Sequence, residues 1–232
     1  MTRREKPADH GRRDRGHRRE LERSKRRWDF WSSHWGLIER DTVEIRRETV
    51  EQLGVEPGDT VLDLGCGPGV NLAMLREAVG PGGQVIGLDL SRKMLDRART
   101  RLEERGWQNV SLVQADATAP HVQADQLDGV LATTAVSATP DVRSTVRNVS
   151  EALCPGGRFA LYDIRLVPAG PGTVLNPVVR RFYRLFGNWN DEESVLDELH
   201  AAFDRTELVR SFALGTNYIA VAENRREDPG TG

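Results

Sequence analysis

The sequence predicts an α/β fold in which a mostly parallel sheet, covered on both faces by helices, ends in a hairpin. Three observations predict it. Short apolar runs alternate with helix-length amphipathic segments from about residue 28 onward. The stretch "VLDLGCGPGVN", residues 61–71, passes from one such run straight into a turn rich in glycine. The last two apolar runs are joined by a short turn containing Gly215, which makes them antiparallel. Strands that alternate with helices at this spacing pair in parallel, because each crossover helix lies on a face of the sheet.

The elements follow in order. "WDFWSSHWGLIERDTVEIRRETVEQLG" reads as one or two helices closing at Gly54. "TVLDLG" is a strand with Val61, Leu62 and Leu64 apolar. "VNLAMLREAVG" is a helix with Leu72, Leu75 and Val79 at core spacing, stopped by Gly80-Pro81-Gly82-Gly83. After the second strand, "QVIGLDL", Ser91 caps "RKMLDRARTRLEERG", whose Leu95, Ala98 and Leu102 form an apolar stripe and whose Gly106 ends it. "VSLVQAD" and "LDGVLATT" are the third and fourth strands. "DVRSTVRNVSEAL" is a helix, and "CPGG" turns into a fifth strand, "RFALYDI". The rhythm then breaks. "RLVPAGPGTVLNPVVRRFYRLFGNWNDE" is a long insertion, followed by the helix "ESVLDELHAAF" and the strands "TELVRSFAL" and "TNYIAVAEN".

The chain of 232 residues is long enough for one sizeable core. No stretch approaches the roughly 18 consecutive apolar residues of a membrane helix. Arg3-Arg4 is not followed by an apolar segment, so no secretory signal is expected and a cytoplasmic location is. Cys66 and Cys154, far apart in sequence, suit a reducing compartment and exclude a disulfide framework or a four-cysteine metal site. The net charge of −2 hides an asymmetry: residues 1–27 hold 12 basic and 5 acidic side chains, a net of +7, on a body of −9. The expected organisation is a basic arm at 1–27, disordered or a fraying helix, and a single domain at 28–225. Within it, helices at 28–53 and the insertion at 165–192 act as cover segments, and 226–232 is a flexible tail. The arm is a solubilising tail or a contact for nucleic acid or an anionic membrane.

The glycine turn places backbone N–H groups at a helix N-terminus, where a ligand can approach the main chain closely. The G-x-G-x-x-G dinucleotide fingerprint is not met: the glycines are Gly65, Gly67 and Gly69, and position 70 is Val70. Asp89, at the end of the second strand, stands where a carboxylate can accept from both hydroxyls of a ribose. Asp116, after the third strand, shares that sheet edge and can accept from an adenine amino group, while a backbone N–H near Ala117 meets a ring nitrogen. The same residue types also serve as plain turns and helix caps. Together the three strand ends describe a pocket for an adenosine with a phosphate-free polar extension.

"VLDLGCGPG", "VIGLDLS" followed by "KML", "VQADA" and "LCPGGRFAL" resemble, in order and spacing, successive motifs of the class I S-adenosylmethionine-dependent methyltransferases, across about residues 45–223. The resemblance implies a Rossmann-like three-layer sandwich with a mostly parallel seven-stranded sheet and an antiparallel last strand. It implies S-adenosyl-L-methionine as methyl donor and S-adenosyl-L-homocysteine as product. Carried onto this sequence, Asp63 lies under the methionine part, Gly65 and Gly67 line the cofactor, Asp89 holds the ribose and Leu90 flanks the adenine. Asp116 and Ala117 read the adenine edge, and Thr133 lies near the sulfonium and the acceptor. Within the superfamily the chain resembles the ubiquinone/menaquinone-type small-molecule enzymes most.

Methyl transfer from a sulfonium needs alignment and exclusion of water, and a base only where the acceptor must lose a proton. No metal ligand cluster is visible, since His34, His121 and His200 stand apart. The place after the fourth strand reads "TTAVSATP" and lacks the Asn/Asp-Pro-Pro-aromatic motif of enzymes that methylate amino groups in nucleic acids. Trp28, Phe30, Trp31 and Trp35, with Phe182, Tyr183, Phe186 and Trp189, form two aromatic sets that are either ordinary core or a lid over an apolar acceptor. No catalytic residue is assigned; Tyr183 and His200 are the candidate bases. The expected reaction is methylation of a small, largely apolar acceptor that is quinone-, lipid- or polyketide-like. The alternatives are methylation of RNA or another anionic substrate through the arm, and a non-catalytic binding module.

Overall fold

A computed structural model describes residues 21–30, 42–119, 126–186 and 189–225. Its strands are β1 (Thr60–Leu64), β2 (Gln84–Asp89), β3 (Val110–Gln114), β4 (Leu127–Thr133), β5 (Leu153–Ile164), β6 (Arg205–Phe212) and β7 (Asn217–Glu223). Its helices are α1 (21–30), then α2 (Val43–Leu53), α3 (Leu72–Val79), α4 (Arg92–Arg105), α5 (Val142–Ala152), α6 (Asn176–Phe186) and α7 (Val195–Ala202).

The seven strands form one sheet in the order β3-β2-β1-β4-β5-β7-β6. β1 pairs in parallel with β2 and β4, β2 with β3, and β4 with β5. β7 runs antiparallel to both β5 and β6. The expected sandwich with an antiparallel last strand is the fold observed. From β1 the chain winds outward to β2 and β3, then returns to place β4 on the other side. This reversal opens a crevice at the carboxyl ends of β1 and β4, the usual ligand site of open α/β sheets.

The central strands are apolar on both faces because both faces are covered. In β1, Leu62 and Leu64 pack into one core cluster with Val146 and Val149 of α5 and Leu199 of α7. Val61 faces the opposite cluster, with Leu53 of α2, Leu72 and Leu75 of α3 and Ala98 of α4. The same alternation divides Val130 from Leu131, and Phe159 and Leu161 from Ala160. Each helix ends or begins where its sequence requires. Ser91 caps α4 through Oγ, which accepts the Met94 N–H, and Gly106 closes it in the left-handed conformation at φ 63°. Asp141 caps α5 by accepting the Ser144 N–H.

Three local readings change. α1, described over residues 21–30, crosses the boundary drawn at residue 27; Trp31, His34 and Trp35 lie outside the described residues. "CPGG" is no turn before β5 but an irregular start of it, with the register against β4 shifting between Leu127 and Gly129. Pro155, which has no N–H to donate, falls in the stretch between Leu153 and Arg158 that the β4 register skips. The insertion holds a short 3-10 turn, Pro171–Leu175, and the full helix α6.

Candidate functional site

Three strand tips and two turns converge on a cleft of about 710 Å³, including its open mouth. Gly65 and Gly67 form its floor, Asp89 and Leu90 follow β2, Asp116 and Ala117 follow β3, and Thr133 and Thr134 close it at β4. Seven of the eight residues singled out from the sequence thus line one cleft. Asp63 is the other: it is fully buried below. Gly65 has φ +68°, and a Cβ there would stand 2.5 Å from the Ala135 Cβ. Gly67, at φ +53°, has nothing within 4 Å of such an atom. The first glycine is needed for packing and conformation, the second for conformation alone.

Each acidic strand end is already organised. Asp89 accepts the Gly67 N–H at 2.9 Å and the Ser91 N–H at 2.7 Å, which ties the glycine turn to the start of α4. Burial lifts its carboxyl to about 6 against these hydrogen bonds. Asp116 accepts the Thr118 N–H at 2.9 Å and the Thr118 hydroxyl at 2.7 Å, an Asx turn that fixes its orientation. A carboxylate has about four acceptor positions, so both groups keep capacity for a ligand's donors.

Beneath the cleft lies a buried polar network. The Asn71 amide donates to Asp63 at 3.0 and 3.3 Å and to the Thr133 hydroxyl at 3.2 Å. Arg46 of α2 donates to Asn71 Oδ1 at 3.0 Å, to Thr133 Oγ1 at 2.5 Å and to Thr42 Oγ1 at 3.0 Å. Desolvation pushes the Asp63 carboxyl up to about 7, while Asn71 and Arg46 pull against it and Asp89 adds repulsion. Asn71 stands at the N-cap position of α3, yet its side chain makes no cap hydrogen bond. Its amide serves the network instead.

The far wall is made by the turn after β4 and by α1. Thr134 has φ +54°, which a β-branched residue rarely adopts. Its N–H donates to the Tyr162 carbonyl at 2.6 Å, which helps hold the conformation. Such strain costs about 1–3 kcal/mol and is characteristic of ligand sites. Asp163, buried at the end of β5, accepts the Ser137 N–H at 3.0 Å and the Ser137 hydroxyl at 2.5 Å, anchoring the 3-10 turn Val136–Ala138. From α1, Leu21, Ser24 and Trp28 face the cleft. The Ser91 hydroxyl donates to Asp29 at 2.5 Å, fastening α1 beside Asp89.

Residues expected on the acceptor side fall into different places. Trp28 lines the cleft, whereas Phe30 is 64% exposed. Tyr183 stacks edge-on against the buried Trp189 at 5.7 Å and accepts a long 3.4 Å hydrogen bond from Asn217. It is not among the residues lining the cleft. His200 hydrogen-bonds the Leu196 carbonyl of its own helix at 2.7 Å and stands away from the cleft as well. The Phe186 side chain and His121 lie outside the described residues. Among the described residues no three His, Cys, Asp or Glu side chains are grouped to hold a metal ion. Nor is any helix among them long and apolar enough to cross a membrane.

Sequence reasoning missed Arg46, Asn71, Thr134 and Ser24. Asn71 had a signal, a polar residue directly after the glycine turn. Arg46 had none, since it is one of several charged residues in "VEIRRETVEQL".

Residues 61–157 match the family described as a methyltransferase domain. The chain is 36% identical over 118 residues to the demethylmenaquinone methyltransferase of Lactococcus lactis subsp. lactis, an overlap of 51% of this chain and 47% of that protein. It is 32% identical over 149 residues to the demethylmenaquinone methyltransferase of Listeria welshimeri, covering 63% of each. The chain thus spans between 47 and 63% of the length of these relatives. Among solved structures, a chain of the complex between the Haloferax volcanii Trm112 methyltransferase activator and a methyltransferase superposes with a TM-score of 0.70 at 18% identity, covering 89% of this chain and 99% of that one. At that identity the likeness is one of fold.

Proposed function

We propose that this chain, a relative of the class I S-adenosylmethionine-dependent methyltransferases in its motifs, its central domain and its fold, moves a methyl group from S-adenosylmethionine to a small, largely apolar acceptor. One observation carries the reading. The Gly65–Gly67 turn, Asp89 and the Asp116–Ala117 tip meet in one cleft, with two carboxylates and a glycine turn set among apolar residues. The demethylmenaquinone methyltransferase relatives support a quinone-like acceptor.

The donor supplies a methyl group already activated by its sulfonium. The chain's own residues then bind, align and exclude water. Asp89 accepts from the ribose hydroxyls and Asp116 from the adenine amino group, between apolar walls that include Leu90, Met94 and Ala117. Asp63, buried below the cleft, supplies negative charge beneath the amino-acid end, and Asn71 and Arg46 hold it in place. Thr133 and the strained Thr134 mark the end of the cleft where the acceptor approaches. Trp28 covers the cleft from α1 and keeps water from the reacting atoms.

The test is an assay with isotope-labelled methyl donor against reduced naphthoquinones and a cell lipid extract, with identification of the labelled product. Label entering an apolar small molecule is the expected result. Label entering only RNA, with activity falling steeply as salt rises, would overturn the acceptor class and favour a role for the basic arm in substrate binding.

A further inference from the structure

Helix α6 wears its apolar face outward. Asn176, Val179 and Tyr183 turn inward, partly buried. Val178 and Leu185 stand 69% and 60% exposed, and Val174 and Leu175, in the preceding 3-10 turn, 78% and 45%. Phe182, one helical turn from Val178, is 54% exposed. Residues spaced by three and four make one continuous stripe. An exposed apolar stripe of this extent marks an interaction surface.

The charge beside the stripe narrows the partner. α6 contains Arg180, Arg181 and Arg184 and no acidic residue. Arg180 and Arg184 both pair with the single, nearly buried Asp191, at 3.0 and 2.6 Å, so the face keeps a net positive charge. The Arg27 side chain of α1 donates to the Arg184 carbonyl at 2.5 Å. The helix that carries Arg23, Lys25, Arg26 and Arg27 therefore touches α6. An isologous dimer through α6 would bring these arginines against their own copies, a like-charge juxtaposition that opposes association. An apolar stripe flanked by arginine, without acids, fits the boundary of an anionic lipid bilayer, where the apolar face enters the acyl region and the guanidinium groups meet headgroup phosphates.

We infer that α6 and the preceding 3-10 turn dock this protein on an anionic lipid surface. The inference stands apart from the reaction proposed above: docking requires neither cofactor nor acceptor. In a docked molecule α1, tied to α6 by Arg27, lies close to the bilayer, and its Trp28 faces the cleft.

The test is co-sedimentation of the full chain with vesicles of phosphatidylcholine alone and of phosphatidylcholine mixed with phosphatidylglycerol, at low and high salt. Binding is expected to the mixed vesicles, at least tenfold weaker to the neutral ones, and weakened by salt. Val178→Asp with Leu185→Asp is expected to reduce it at least tenfold. Arg181→Glu reverses one charge at the surface, and a loss of about fivefold or more is expected. Melting temperature and S-adenosylhomocysteine affinity, unchanged in these variants, show that the fold is intact. Absence of sedimentation with either vesicle would overturn the inference, as would equal binding by the double variant. A concentration-dependent dimer abolished by Val178→Asp with Leu185→Asp, without vesicle binding, would assign the stripe to a second copy instead.

Discussion

The two walls of the cleft are built by different physics. On the β1–β3 side the acids Asp89 and Asp116 sit on strand tips within two residues of the sheet, and backbone N–H groups or a short Asx turn hold them. On the other side, the wall comes from α1 and from a strained turn after β4. The first wall is rigid and its geometry is local. The second depends on contacts between segments far apart in the chain. On the proposed function, the first half is the one that holds the cofactor and the second the one that meets the acceptor.

The largest effect expected tests whether the rigid wall rests on its buried network. Arg46→Ala removes a guanidinium that satisfies Asn71 and Thr133 and offsets Asp63. Breaking a buried charged network costs about 3–5 kcal/mol, which lowers the melting temperature by roughly 10 °C in a chain of this size. Calorimetry reads this directly, and an unchanged melting temperature would show that the network is not supporting the site.

The two glycines sharpen the comparison within the rigid wall. Gly65→Ala must push Ala135 aside as well as adopt φ +68°, and a combined cost near 3 kcal/mol predicts about a hundredfold loss of S-adenosylhomocysteine affinity. Gly67→Ala meets open space, so only the conformational cost of about 1–2 kcal/mol remains, about a tenfold loss. Equal effects at the two positions would contradict the close approach to Ala135.

pH separates binding from stability. Asp63 titrates at about 7, raised first by burial, with Asn71 and Arg46 opposing and Asp89 assisting. A ligand ammonium favours the carboxylate, so binding releases a proton and affinity falls about tenfold as pH drops from 8 to 6. The stability of the free protein moves the other way. Asp63, Asp89 and Asp163 all have raised values, so the folded state holds more protons than the unfolded state between about 4 and 7. Their contribution to stability is present at the acid end of that window and is lost as pH rises through it. Thermal scans with and without ligand check both signs.

The smallest effect belongs to the covering side. Tyr183→Phe deletes a hydroxyl that accepts one long hydrogen bond outside the cleft, so methyl transfer is expected to change by less than about threefold. A loss of a hundredfold or more would make Tyr183 a participant in the reaction.

What the sequence disclosed follows the same division. Gly65, Asp89 and Asp116 were legible as neighbours in one cleft because strand, turn and cleft-lining residue are close in the chain, and the spacing alone carries them to one sheet edge. Arg46 was hidden because its partners Asn71 and Thr133 lie 25 and 87 residues away, and an arginine in a charged helix reads as solvent-facing. The apolar spacing of α6 was present in "NPVVRRFYRLF", but periodicity does not say which face meets the core. Tyr183 and His200 were singled out for their chemistry, and only tertiary placement separates them from the cleft.

Isothermal titration of the full chain and of Gly65→Ala with S-adenosylhomocysteine at pH 8 tests the central claim most directly. The account predicts one site per chain with micromolar affinity, weakened about a hundredfold in the variant. Absence of heat from the unaltered chain at millimolar ligand, or equal binding by both proteins, would contradict it.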